Sequence, residues 1–121
     1  MAKILVMDDE IFIRDMMGDV LRFCGYDVTL VEEGQAAIDL LLESNYDLCI
    51  LDVSVPHGLG AVDTLFEMNK KGLCVKSVLS TGYSDIDLVK NFKHHGFCGC
   101  LTKPFDLDTI KQEIDGFLDL D

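Results

Sequence analysis

The chain has 121 residues, 49% of them hydrophobic, enough for one domain with a full core. Its formal net charge of −12 at pH 7 repels a phosphate backbone and an anionic bilayer, so neither nucleic acid nor membrane is expected as a direct partner. No apolar run approaches the length of a membrane span, and Met1-Ala2-Lys3 leads straight into a strand pattern, so no signal peptide is expected.

Lys3-Ile4-Leu5-Val6-Met7 is an apolar run that ends in the carboxylates Asp8, Asp9 and Glu10. A short, continuous run of this kind reads as a strand buried on both faces. The helix after it carries Ile13, Met16, Met17, Val20, Leu21 and Cys24 at three-and-four spacing and stops at Gly25. Asp27-Val28-Thr29-Leu30-Val31 is a short strand, and Gly34 opens a helix with Ala37, Leu40 and Leu41 on one face. Asn45-Tyr46-Asp47 then turns into a second fully apolar run, Leu48-Cys49-Ile50-Leu51, which meets Asp52. Ser54, Pro56 and Gly58 mark an abrupt loop. Val62, Leu65, Phe66 and Asn69 predict the inner face of the next helix, stopped by Gly72. Val75 to Ser80 predicts a strand that ends at Thr81-Gly82. A helix from about Ser84 to His95 has weaker periodicity, in Leu88, Val89 and Phe92, and its outer face is expected to move or to bind something. Phe97 to Thr102 predicts the last strand, which Lys103-Pro104 breaks. Asp106 reads as the N-cap of a final helix with Leu107, Ile110, Ile114, Phe117 and Leu118 inward.

Five strands alternate with five helices through short loops, which means βαβ units, a parallel sheet and right-handed crossovers. Residues 1–121 read as a single α/β domain, with no repeat or linker. The five cysteines form no CxxC pair, and buried, reduced thiols in a cytoplasmic protein are expected. The spacing in His94-His95-Gly96-Phe97-Cys98-Gly99-Cys100 is not that of a zinc module.

All strands of a parallel sheet present their carboxyl ends at one edge, where open α/β sheets bind ligands. Four of these ends carry chemistry: Asp8-Asp9-Glu10, Asp52, Ser80-Thr81 and Lys103-Pro104. Carboxylates brought together repel, and a hard divalent cation resolves the repulsion. Mg²⁺ takes one or two carboxylates, a carbonyl and several waters, and leaves room for a phosphoryl oxygen. Lys103 adds a mobile positive charge and Thr81 a hydroxyl donor. An aspartate in such surroundings is a nucleophile poised to accept a phosphoryl group. Each residue also has an ordinary reading. Asp8 or Asp9 could cap the first helix, Asp52 a turn, and Thr81 and Lys103 could be plain strand-end and surface residues. Their joint occurrence at four separate strand ends favours the phosphoacceptor.

With these residues in place the chain resembles the response-regulator receiver domain over essentially its whole length. The likeness rests on Met7-Asp8-Asp9-Glu10, Leu51-Asp52 with Pro56 and Gly60 behind it, Ser80-Thr81-Gly82, and Lys103-Pro104-Phe105. It implies a doubly wound, flavodoxin-like (βα)₅ fold with strand order 2-1-3-4-5. It implies that Asp52 accepts a phosphoryl group from the phosphohistidine of a histidine kinase or its phosphotransfer domain. It assigns Mg²⁺ to Asp9, Asp52 and the main-chain carbonyl of Ser54, with Asp8 acting through a water. Thr81 and Lys103 would contact the phosphoryl group, and Lys103-Pro104 would be a cis peptide.

The family usually carries Tyr or Phe where this chain has Cys100. A thiol is too small for that aromatic's inward swing. The readout is therefore expected through the Thr81–Ser84 loop and the helix after it, with Tyr83 as the displaced side chain. Gly-Tyr-Ser after Thr81 looks like receivers of hybrid histidine kinases. The output partner is open, as is the choice between a monomer and a weak phosphorylation-dependent dimer. Three other readings compete. A haloacid-dehalogenase-type phosphatase wants an acid where Ser54 stands and usually a cap domain. A flavodoxin-like cofactor binder wants a phosphate loop after the first strand, where this chain has only acids. A receiver-like module that does not signal by phosphorylation would not need the full set of Asp8, Asp9, Asp52, Thr81 and Lys103.

Overall fold

The computed structural model describes residues 1–82, 86–103 and 105–120. Its elements run β1 (Lys3–Met7), α1 (Ile11–Phe23), β2 (Asp27–Val31), α2 (Gly34–Glu43), β3 (Leu48–Asp52), α3 (Ala61–Lys70), β4 (Ser77–Thr81), α4 (Ile86–Lys90), β5 (Gly99–Thr102) and α5 (Ile110–Leu118). The five strands form one parallel sheet in the order β2-β1-β3-β4-β5. The expected α/β fold and strand order are therefore correct. β3 is central and all five of its residues are buried, which is why it reads as an unbroken apolar run.

Each face of the sheet builds its own core. Ile4, Val6, Ile50, Val78 and Leu101 pack with Met17 and Leu21 of α1 and with Ile110 and Ile114 of α5. Leu5, Met7, Leu51 and Leu79 pack on the other face with Ile38 of α2 and Leu65 and Met68 of α3. The alternation follows the period of two along a strand. It places Asp52 and Ser80, two residues beyond Ile50 and Val78, on the α1/α5 side.

Several local expectations shift. The inner stripe of α3 is Ala61, Thr64, Leu65 and Met68, while Val62, Phe66 and Asn69 face solvent. Thr64 hid this phase, because a polar residue does not count towards an apolar stripe. It is fully buried and donates its hydroxyl to the Leu59 carbonyl at 3.4 Å. The helix expected to His95 is regular only to Lys90, and turns carry the chain to Gly96. At that ending the Asn91 side-chain amide donates to the Asp87 carbonyl at 2.9 Å, the same carbonyl that accepts the Asn91 N–H at 3.1 Å. β4 starts at Ser77 rather than Val75, and β5 at Gly99 rather than Phe97. Asp106 does not cap α5. It closes a preceding turn, with Oδ1 accepting from the Asp108 N–H at 2.9 Å and its carbonyl from the Ile110 N–H at 3.0 Å; α5 is regular from Ile110, its N-cap is Thr109, and Leu107 is exposed. Of the cysteines only Cys49 is buried, and Cys74 is exposed, because it lies outside the strand beside it.

Two glycines do structural work. Gly25, at φ 97°, ends α1, and the Tyr26 N–H reaches back to the Leu21 carbonyl at 3.1 Å. Gly34 lets α2 approach α3: a Cβ there would collide with Thr64 Oγ1 and lie 2.6 Å from Leu59 Cβ. Gly34→Ala should therefore lower stability by about 1–3 kcal/mol in urea unfolding, although Gly→Ala in an open helix is stabilising. A variant at least as stable as the parent would contradict this contact.

Candidate functional site

The carboxyl edge of the sheet opens into a cleft of about 290 Å³ lined by Asp9, Glu10, Asp52, Ser54, Thr81 and Lys103, with Val53, Pro56 and Gly82 completing it. Asp8 leaves β1 buried, at 2% exposure, and Asp52 ends β3 at 3%. Lys103 follows β5, held by its N–H on the Thr81 carbonyl at 2.8 Å. Its side chain reaches across β4, and its ammonium lies 2.8 Å from Asp8 Oδ2 and 3.1 Å from Asp52 Oδ1. One cation thus bridges two buried carboxylates.

Asp8 is fully engaged. Its Oδ1 accepts from the Glu10 N–H at 2.9 Å, and Arg14 donates to its carbonyl at 2.9 Å. The Asp8 side chain thereby shapes the turn into α1, whose N-cap is Glu10. Asp52 Oδ1 also accepts from the Ser54 N–H, at 3.4 Å. Thr81 is brought to the cleft but not to Asp52: its hydroxyl donates to the Gly82 carbonyl at 3.0 Å. Cys100 is half-buried in β5 and packs on the same cluster as Leu79, Phe92 and Leu88. Phe97, the nearest aromatic in sequence, is already buried there. Tyr83 and the Lys103-Pro104 peptide lie outside the described residues.

Burial and the nearby Asp8 charge push the Asp52 carboxyl up to about 6, against the pull of Lys103. Burial works against the Lys103 charge, but its bonds to Asp8 and Asp52 outweigh that and raise its pKa. Asp9 and Glu10 add two more carboxylates, and one carboxylate oxygen from each of Asp8, Asp9 and Glu10 lies within 4.8 Å of the others. Four acids against one ammonium leave the cleft strongly negative. All the donors are oxygens, the set that suits a hard divalent cation. The carboxylates drawn together at that distance are Asp8, Asp9 and Glu10, while Asp52 and Ser54 line the same cleft, an oxygen-donor set whose chemistry suits the cation expected from the sequence. Glu10 joins them at the rim, a neighbour the sequence showed without a role. Ser80 is the other residue without a sequence-derived role. Its hydroxyl is buried without a partner among the described residues.

Fold and cleft together define a flavodoxin-like α/β domain with an acidic, lysine-bridged site at the carboxyl edge of its sheet. The chain belongs to the response regulator receiver domain family, whose model matches residues 4–115. It is 29% identical over 118 residues to sporulation initiation phosphotransferase F of Bacillus subtilis, covering 98% of this chain and 94% of that one. It is 35% identical over 106 residues to the transcriptional regulatory protein CpxR homolog of Haemophilus influenzae, covering 88% of this chain but 45% of that relative. Among solved structures, the receiver domain of NtrX from Brucella abortus superposes with a TM-score of 0.89 at 24% identity, covering 98% of this chain and 99% of that one. Chemotaxis response regulator CheY4 of Vibrio cholerae gives 0.85 at 25% identity, covering 97% and 98%. The domain is thus of the kind used in two-component and phosphorelay signalling, a phosphoacceptor family. No helix among the described residues is long and apolar enough to cross a membrane.

Proposed function

We propose that Asp52 accepts a phosphoryl group from the phosphohistidine of a histidine kinase or its phosphotransfer domain, in the cytoplasm and with Mg²⁺. The observation that carries this reading is the Lys103 ammonium held between Asp8 and Asp52 at 2.8 and 3.1 Å at the mouth of the cleft. A nucleophilic carboxylate needs its charge balanced without being consumed, and a mobile lysine does that. Mg²⁺ would be held by Asp9, Asp52 and the Ser54 carbonyl, with Asp8 contributing through water, since both Asp8 carboxylate oxygens already have donors. When bound, such an ion would neutralise the acids and offset phosphoryl charge.

The chain's own residues do the rest. Asp52 attacks phosphorus along the open side of the cleft as the phosphorus–nitrogen bond of the donor phosphohistidine breaks, and the bonding pair stays on the imidazole, which takes a proton from solvent. Lys103 swings from the Asp52 oxygen to a phosphoryl oxygen without leaving Asp8. Thr81 gives up the Gly82 carbonyl for a charge-assisted bond to the phosphoryl group. That exchange would pull on the start of the segment leading into α4. The signal then reaches an output partner through this segment, with Tyr83 as the relay. Cys100 stands where the usual aromatic would move.

Incubation with Mg²⁺ and acetyl phosphate should add one phosphoryl mass to the intact protein. Asp52→Asn should gain none, and EDTA should abolish the gain. Labelling of Asp52→Asn to the parent's extent would move the site elsewhere. Labelling unaffected by EDTA would remove the metal.

A further inference from the structure

Ser80 ends β4 at 2% exposure, and its Oγ has no hydrogen-bond partner among the described residues. Its register partner on β3 is Asp52, and on β5 it is Leu101. Register partners on parallel strands share a face, here the α1/α5 face that also holds Val78 and Leu101. Lys103 leaves β5 two residues after Leu101 and must cross β4 to reach Asp52 on β3. Ser80 therefore lies between the strand that supplies the lysine and the carboxylate that the lysine grips. A small residue leaves room for the lysine stem. Smallness alone does not account for serine, because alanine would fill the same space without burying an unpaired hydroxyl.

We propose that the Ser80 hydroxyl donates a hydrogen bond to the carbonyl oxygen of phosphorylated Asp52 and so shortens the life of the acyl phosphate. This rests on the phosphoacceptor reading above. Once Asp52 carries the phosphoryl group, one carboxyl oxygen is bonded to phosphorus and the other becomes a carbonyl oxygen. The phosphoryl oxygens draw Lys103 away, and the carbonyl oxygen keeps the Ser54 N–H and its place at the Mg²⁺ site but loses the lysine donor. Ser80, on the next strand at the same level, supplies the replacement. In hydrolysis a water oxygen bonds to phosphorus, and the phosphorus–Asp52 oxygen bond breaks. The bonding pair returns to the Asp52 carboxylate, and the water's proton leaves with inorganic phosphate or solvent. Negative charge grows on the Asp52 carboxyl as that bond breaks. A donor already on its other oxygen stabilises the leaving group.

The test uses the intact chain, labelled with acetyl phosphate in Mg²⁺ and then freed of donor, with intact mass followed over time. Ser80→Ala should lengthen the phosphoryl half-life about three- to ten-fold, the effect of one neutral hydrogen bond. Ser80→Thr, which keeps the hydroxyl, should return it towards the parent value. The infrared carbonyl stretch of the ¹³C-aspartate-labelled acyl phosphate should lie higher in Ser80→Ala than in the parent, a signature that altered packing would not produce. Unphosphorylated Ser80→Ala should melt no lower than the parent, and a clearly lower Tm would mean the hydroxyl is already paired, against the premise. An unchanged or shortened half-life, or an unchanged stretch, overturns the role of Ser80 and leaves Asp52 as phosphoacceptor. A parent chain that gains no phosphoryl mass overturns both.

Discussion

Lys103→Met is expected to destabilise the metal-free domain by about 3 kcal/mol at pH 7, because it strands two buried carboxylates beside each other. Asp8 and Asp52 are 2% and 3% exposed, so water cannot replace the lost ammonium in full. Methionine keeps the unbranched stem that crosses β4, which separates the charge from the packing. Urea unfolding in EDTA measures the loss. Adding Asp52→Asn to Lys103→Met should recover part of it, because one of the stranded charges is then gone. A double variant no more stable than Lys103→Met would show that the loss does not come from a stranded Asp52 charge. A loss below about 0.5 kcal/mol would place the bridge among weak surface pairs.

The second large effect is a pH dependence with the opposite sign to that of an ordinary ion-paired aspartate. The folded Asp52 carboxyl titrates at about 6 against an ordinary value of 3.8. Between those values the folded chain holds more protons than the unfolded chain. The Asp52 contribution to stability is therefore complete below about pH 4 and is lost as pH rises through about 6. Asp52→Asn cannot ionise, and its amide oxygen can still accept from Lys103. In EDTA it should be more stable than the parent at pH 7 by about 1–2 kcal/mol, once the solvent screening of an open cleft is allowed for. The difference should vanish near pH 4. Chemical denaturation at a series of pH values checks this, and a parent that gains stability from pH 4 to 7 relative to Asp52→Asn would reverse the sign. Mg²⁺ should narrow the gap at pH 7, since it removes the repulsion that raises the carboxyl.

The two effects have one cause, an excess of carboxylates that Lys103 alone does not balance. An acidic cleft of this kind sacrifices stability at rest, and under the proposed function a divalent cation would relieve the repulsion. Ser80 fits the same pattern, as a buried hydroxyl without a partner among the described residues that the proposed phosphorylated state would pair.

The sequence by itself determined the architecture and the residues of the cleft. Continuous apolar runs such as Leu48–Leu51 have one stable home, a strand covered on both faces, and short alternation with helices forces the strands parallel. Once parallel, Asp8, Asp52, Thr81 and Lys103 must share an edge whatever the details. Helix phase and length were less legible. Thr64 is polar in sequence and buried in the fold, so the apolar stripe of α3 was read one step off. Asn91 and Asp106 make local side-chain hydrogen bonds at the end of α4 and before α5, details that apolar periodicity does not carry. Only the tertiary structure decided which groups pair within the cleft. Lys103 selects Asp8 and Asp52 and leaves Asp9 and Glu10 at the rim, Thr81 turns to Gly82, and Ser80 has no partner among the described residues. Those choices depend on distances between strands far apart in sequence, set by sheet register and core packing, and no local pattern of residues encodes them.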